Sequence, residues 1–107
     1  MTTNTKTQRI SSDEPKAVEQ ASAALDTLTP TTARDDAIAF DLRYASRLMT
    51  EAIAKGSSSG EALRFLRANA SNALSAVAVS LDRRTLTQEM IATARQAVEL
   101  LLAQTSA

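Results

Sequence analysis

The sequence predicts an all-α protein: a small antiparallel helical bundle of three long helices plus a short N-terminal helix, preceded by a disordered tail. Two observations predict this class. Alanine, which has the highest helix propensity, occurs 21 times among 107 residues, whereas glycine and proline occur twice each. Apolar side chains also recur at spacings of three and four residues along successive segments, which is the period of one helix face. We expect one domain over residues 12–107.

Residues 1–11 are predicted to form the disordered tail, because threonine, serine, asparagine and isolated charges surround a single isoleucine. Residues 12–15 then carry a helix-start signal, a serine and two acidic residues before a proline. The first helix places its apolar residues on one face: Val18, Ala21, Leu25 and Leu28. Thr29 and Pro30 are predicted to end it, because proline disfavours the helical conformation of the residue before it.

The second helix is predicted to begin at Pro30 and to run to Lys55, with Gly56 as its terminator. Asp35 and Asp36 fall early in this helix, where the positive end of the helix dipole favours acidic side chains. Adjacent residues diverge by about 100° on a helix, so these carboxylates cannot form a paired acid and base. We interpret them as structural charges.

The third and fourth helices follow a serine-rich loop. Ser58 and Glu61 have the spacing of a capping box for the third helix, whose polar residues, Ser71 among them, are predicted to lie opposite its inner face. That inner face comprises Leu63, Leu66, Ala70, Ala73, Leu74, Val77 and Leu81. The fourth helix is predicted to start near Asp82 or Thr85, with Thr85 and Gln88 as a second capping box. Its apolar stripe comprises Leu86, Met90, Ala94, Val98 and Leu101.

The second helix carries two apolar stripes. The first is predicted to be core and comprises Ile38, Leu42, Ala45, Met49, Ala52 and Ile53. The second lies more than a quarter turn away and comprises Ala37, Phe40, Tyr44 and Leu48. A surface helix needs only one apolar stripe, so the second is either covered by the first helix or forms a homodimer seam or partner groove. We predict the interface there, bordered by Arg43 and Arg47 and extended by Phe65 unless that ring packs under the neighbouring loop.

The composition excludes several kinds of chemistry. The sequence contains no cysteine and no histidine, so it offers no thiol redox pair, no disulfide and no cysteine–histidine zinc site. We find no P-loop, dinucleotide fingerprint or calcium loop, and no convergent set of reactive side chains. We therefore expect a non-enzymatic protein with no catalytic residues, no metal and no cofactor.

The charge pattern limits the partners. Twelve basic and twelve acidic residues give a net charge of zero, which removes the strong positive field typical of nucleic-acid-binding proteins. The longest uncharged stretch, residues 68–81, has 14 residues, whereas a membrane-spanning helix needs about 20 apolar ones. The N-terminus has no apolar run of the secretory type. We therefore expect a cytoplasmic protein with no membrane contact.

These observations favour a small helical protein–protein interaction module. We expect a stoichiometric regulator of the antiactivator or adaptor type, which forms a homodimer and occupies a helical or dimerisation surface of another protein, such as a transcriptional regulator. Two alternatives stay open. One is a nucleic-acid-binding accessory protein that uses Arg43, Arg47, Arg64 and Arg67. The other is a structural protein whose amphipathic helices coat a surface.

Overall fold

A computed structural model describes the backbone of residues 2–55 and 60–106, and the side chains of residues 13–55 and 60–104. Within those ranges the chain forms four helices and no strand. The helices are α1 (Thr2–Asp26), α2 (Asp36–Ala54), α3 (Gly60–Arg83) and α4 (Gln88–Ser106). The predicted all-α fold class is confirmed.

The four helices share one hydrophobic core. Helix α1 packs against α2 and α4, and α3 packs against the same two helices. The predicted apolar residues that are buried include Val18, Ala21, Leu25, Leu28, Leu42, Ala45, Met49, Ala70, Leu74, Val77, Leu81, Leu86, Ala94, Val98 and Leu101. Those that are partly buried and pack against this core include Ile38, Leu63, Leu66, Ala73 and Met90. The predicted inner faces are therefore confirmed, except that Ala52 and Ile53, at the end of the α2 face, are only half-buried. The antiparallel arrangement of the bundle as a whole stays a prediction.

Helix α1 is longer than the sequence predicts. It has 25 residues and contains Pro15 in its interior, so it does not start at the signal in residues 12–15. Proline donates no hydrogen bond to the preceding turn, and the buried residues described in α1 all follow it, beginning at Ala17. Before Asp13 only the course of the backbone is described, so the disorder of residues 1–11 and the domain boundary at residue 12 stay predictions.

Helix α2 begins at Asp36, and the prediction that it begins at Pro30 is wrong. Residues 29–32 instead close a turn. The backbone N–H of Thr32 donates to the carbonyl of Thr29 over 3.0 Å. The backbone N–H of Thr29 donates to the hydroxyl of Thr32 over 2.7 Å. The Thr29 carbonyl thus accepts from the residue three positions on, whereas the first bond of an α-helix from Pro30 would come from Ala33, four positions on.

Asp35 caps α2. Its carboxylate Oδ1 accepts hydrogen bonds from the backbone N–H of Ala37 at 2.9 Å and of Ile38 at 3.3 Å. Asp36 is the acidic residue of the first turn. The structural role predicted for this acidic pair is therefore confirmed. At the other end Lys55 is the C-cap, and the predicted terminator Gly56 lies outside the described residues.

Helix α4 begins at Gln88, later than either predicted start. Asp82 is the penultimate residue of α3. Thr87 caps α4, because its hydroxyl accepts a hydrogen bond from the backbone N–H of Met90 at 3.2 Å. The predicted capping box that begins at Thr85 is therefore wrong, and the Ser58 box of α3 lies outside the described residues.

Arg84 ends α3 in a conformation that favours glycine. Its φ is 59°, in the left-handed region. The N–H of Thr85 donates to the carbonyl of Ser80 at 2.9 Å, and the N–H of Arg84 donates to that of Leu81 at 3.3 Å. This pair of hydrogen bonds defines a Schellman motif, whose left-handed position is usually glycine. A side chain there costs about 1–2 kcal/mol of backbone strain.

Ser71 lies on the α2 side of α3 and is buried, so its predicted place on the outer side of α3 is wrong. Its hydroxyl lies 2.8 Å from the Ser46 hydroxyl and 3.0 Å from the Thr50 hydroxyl of α2. The carbonyls of Ser46 and Ser71 each accept from the other serine's hydroxyl at 3.0 Å. We call Ser46, Thr50 and Ser71 the hydroxyl cluster. It links α2 to α3 with every hydroxyl partnered.

Glu14 and Arg67 form a bidentate ion pair between α1 and α3. The Nε and Nη2 atoms of Arg67 donate to the two carboxylate oxygens of Glu14 at 2.8 Å and 2.9 Å. The Glu14 side chain is only 19% exposed and the Arg67 side chain only 12%. These two charge-assisted hydrogen bonds, which are largely shielded from solvent, hold the middle of α1 against α3.

We predict that Arg84→Gly stabilises the protein. Glycine removes the left-handed strain but adds entropy to the unfolded chain, so we expect a net gain of about 0.5–1 kcal/mol. Thermal unfolding followed by circular dichroism should show a melting temperature higher by roughly 2–8 °C. The control is Ser75→Gly, which places glycine at an exposed position inside α3 and should lower the melting temperature. An unchanged or lower value for Arg84→Gly would contradict the assignment of strain.

We also predict that Glu14→Ala destabilises the protein by about 2 kcal/mol, because it leaves the Arg67 guanidinium shielded and unpaired. Chemical denaturation with urea measures this change. The control is Asp26→Ala, which removes the exposed partner of Arg95 and should cost less than about 1 kcal/mol. Equal losses for the two variants would show that the bidentate pair contributes no more than a surface contact.

Candidate functional site

The outer face of α2 carries a stacked pair of aromatic rings. Phe40 is 63% exposed, although it belongs to a helix whose opposite face is fully buried. Its ring lies parallel to that of Tyr44, with 5.6 Å between the centroids and an interplanar angle of 9°. The guanidinium of Arg47 lies 5.5 Å from the centroid of the Tyr44 ring. We call Phe40, Tyr44 and Arg47 the α2 patch.

The spacing of these three residues explains the arrangement. Steps of four and three residues place consecutive side chains on neighbouring turns of the same stripe. The buried residues Leu42 and Met49 fix the opposite side of the helix in the core. Stacking and the cation–π contact therefore hold Tyr44 between two neighbours of its own helix.

The bundle covers only part of the second stripe. Tyr44 and Leu48 are partly buried and pack against the core, whereas Ala37 and Phe40 are exposed. The alternative that the first helix covers the whole stripe is therefore wrong at Phe40, and the interface stays a prediction. Tyr44 and Leu48 contribute to the fold, whereas Ala37 and Phe40 form the exposed end of the stripe.

Arg43 is engaged within the chain. Its Nη2 donates to Oδ2 of Asp82, at the end of α3, over 2.6 Å. Arg34 approaches the other oxygen, with 3.4 Å between its Nε and Oδ1. The hydrogen bond from Arg43 lowers the pKa of Asp82, partial burial opposes that shift, and the charges of the two arginines lower the pKa further. Arg43 therefore ties α2 to α3 at the edge of the α2 patch.

Phe65 does not adjoin Phe40. It is 69% exposed on α3, six residues before Ser71, whereas Phe40 precedes Ser46 of α2 by six residues. Ser46 contacts Ser71, and Arg43 contacts Asp82, so higher numbers on α2 match lower numbers on α3. Each ring therefore lies about 9 Å from the serine contact, in opposite directions. Of the predicted interface, the structure brings Phe40, Tyr44 and Arg47 together and separates Phe65 from them.

Most of the four arginines considered for nucleic-acid binding contact groups of their own chain. Arg67 is turned into its ion pair with Glu14, and Arg43 is held by Asp82. Arg47 lies over Tyr44, and its Nε is 3.8 Å from a carboxylate oxygen of Glu51. Three of these four side chains are thus engaged by groups of the same chain.

Sequence reasoning missed the polar contacts between helices. Glu14, Asp82 and Ser71 pair with residues between 21 and 53 positions away in the chain. The repeat of apolar residues along one helix gives no information about pairs so far apart in the chain. The aromatic pair was found because both rings lie on one helix, where spacing alone decides proximity.

Comparison with known proteins gives no relative for this chain. No protein-family model matches it, no curated protein is similar to it at a significant level, and no solved structure matches it. Among the helices in the described ranges, none has both the length and the apolar character needed to cross a lipid bilayer. In those ranges, too, no group of three or more carboxylates is placed to hold a metal ion.

We predict that Asp82→Asn removes a pH-dependent part of the stability. Because the pKa of Asp82 is lowered from its ordinary value of 3.8, its contribution is present above that pH and is lost as the pH falls through the lowered pKa. Urea denaturation should therefore show a gap between wild type and variant that is constant near neutrality and closes in acid. Glu99→Gln, which removes a charge from exposed α4, is the control. A gap that stays constant into strong acid would contradict the lowered pKa.

Proposed function

We propose that this chain is a small, non-enzymatic protein–protein interaction module that binds its partner through the α2 patch. The supporting observation is the exposed Phe40 ring, stacked on Tyr44 beside Arg47 and opposite the buried face of the same helix. Aromatic residues and arginine are enriched at the centres of protein interfaces and supply most of their hot spots.

The chemistry of the α2 patch supports binding. Burying the exposed part of the Phe40 ring would contribute about 1–2 kcal/mol. The patch is also ordered before binding, because Tyr44 is fixed by its two neighbours and by the core. An ordered aromatic surface loses little side-chain entropy on association, so more of the contact energy becomes affinity.

We propose a regulatory role of the stoichiometric type. The chain occupies a helical or dimerisation surface of another protein, such as a transcriptional regulator, in the cytoplasm, and it self-associates as a homodimer. A single exposed helix face suits a helical groove, where anchors on successive turns are read together. The engagement of Arg43, Arg47 and Arg67 within the chain gives no support to the nucleic-acid alternative. In the part of the chain that the structure describes, the exposed large apolar residues are spread over α2, α3 and α4, which gives no support to the surface-coating alternative.

We predict that Phe40→Ser strongly weakens partner binding while the fold stays intact. Loss of an anchor ring at an interface centre weakens binding by about tenfold or more. Tagged wild type and variant are used to capture proteins from the native host, followed by quantitative mass spectrometry. A specific partner should be lost with Phe40→Ser.

Leu100→Ser is the control, because Leu100 is 49% exposed on α4, outside the α2 patch. It should capture the same protein as wild type, and circular dichroism should show equal helix content for all three chains. Equal capture by the Phe40 variant and wild type would refute the proposed binding surface.

A further inference from the structure

The exposed ends of the α2 patch are complementary to each other. Phe40 and Arg47 lie seven residues apart, just under two helical turns, so they share one stripe about 10 Å apart along α2. The Phe40 residue is 63% exposed and the Arg47 side chain 66%. Each contacts Tyr44 of its own chain on one side, and its exposed side offers an aromatic face in Phe40 and a guanidinium in Arg47. These are the two halves of a cation–π contact. Two turns is too far for direct contact within one helix.

A twofold axis through α2 would bring the Phe40 ring of one copy against Arg47 of the partner subunit. If it crosses α2 between Arg43 and Tyr44, it exchanges position 40 with position 47 in an antiparallel pair of α2 helices. Phe40 of each copy then faces Arg47 of the partner subunit, and the contact occurs twice. Self-complementarity about one axis is what a symmetric dimer interface requires. In the same register Arg43 faces Tyr44 of the partner subunit.

We infer that the occupant of the α2 patch is a second copy of this chain, in an antiparallel α2–α2 crossing. The inference rests on the proposed function, because it uses the same surface. It adds a form of regulation. A dimer that covers Phe40 excludes any other partner from the patch, so self-association and partner binding compete.

The charges at the ends of the stripe make this dimer weak. Asp36 faces Glu51 of the partner subunit in the same register, which is unfavourable. Each carboxylate already has an arginine of its own chain beside it: Arg34 at 3.3 Å from Asp36, and Arg47 at 3.8 Å from Glu51. The repulsion is therefore reduced but not removed. A contact made by one helix also buries less than the roughly 800 Å² per partner of a standard interface, so we expect a dissociation constant on the order of 10–100 µM.

A charge exchange tests the register. Phe40→Lys places an ammonium opposite Arg47 of the partner subunit and should weaken the dimer by about tenfold or more. Arg47→Glu combined with Phe40→Lys places opposite charges at both exchanged positions, and should restore the dissociation constant to within about threefold of wild type. Sedimentation velocity over roughly 5 µM to 1 mM protein covers the expected range. Leu100→Lys is the control for added charge outside the α2 patch and should leave the dimer unchanged.

Three outcomes would overturn the inference. One is a wild-type chain that stays monomeric up to the highest concentration. The second is a double variant that dimerises no better than Phe40→Lys, because the exchange of positions 40 and 47 would then be absent. The third is a dimer that Leu100→Lys weakens as much as Phe40→Lys does. A monomeric chain would also remove the homodimer from the proposed function. The binding of a different protein through the α2 patch is decided separately, by its Phe40-dependent capture.

Discussion

The contact between α2 and α3 sets the position of the α2 patch. In the hydroxyl cluster, the Ser46 and Ser71 carbonyls each accept a hydrogen bond from the other residue's hydroxyl. The Thr50 hydroxyl lies within hydrogen-bonding distance of the Ser71 hydroxyl. A shift of α2 along α3 would leave the buried Ser71 hydroxyl without a partner, at a cost of about 1–3 kcal/mol. Burial of Leu42 then fixes the rotation of α2 about its axis. With translation and rotation both fixed, Phe40 has no place in the core.

The helix faces follow from the sequence because they depend on a local period. The helix starts do not, because the chain offers competing signals within a few residues. Pro30 is a good first residue for a helix, but the threonines around it close a turn, and Asp35 then caps α2 six residues later than the sequence predicts. Arg84 shows the same limitation, since nothing in its residue type indicates a left-handed conformation. Local propensity alone does not decide between such alternatives.

The candidate site, like the fold, is predictable from the sequence only in its local features. Spacing alone indicates that Phe40 and Tyr44 share a stripe, and the structure stacks them. Which residues of that stripe the bundle covers depends on the neighbouring helices. Which arginines are paired depends on carboxylates far away in the chain. Asp82 engages Arg43 across 39 positions, and Glu14 engages Arg67 across 53. Such pairs become visible only when the helices are packed together.

The placement of the phenylalanines is costly for a fold of this kind. The buried side chains include many alanines, each of which removes little apolar area from water. A bundle selected for stability alone would place its largest apolar side chains inside, yet Phe40 and Phe65 are both more than half exposed. Ion pairs such as Glu14–Arg67 orient the helices but do not replace the burial of those aromatic rings. The missing burial at Phe40 is what a contact with another surface would restore, since the ring is ordered by Tyr44 and faces away from the core.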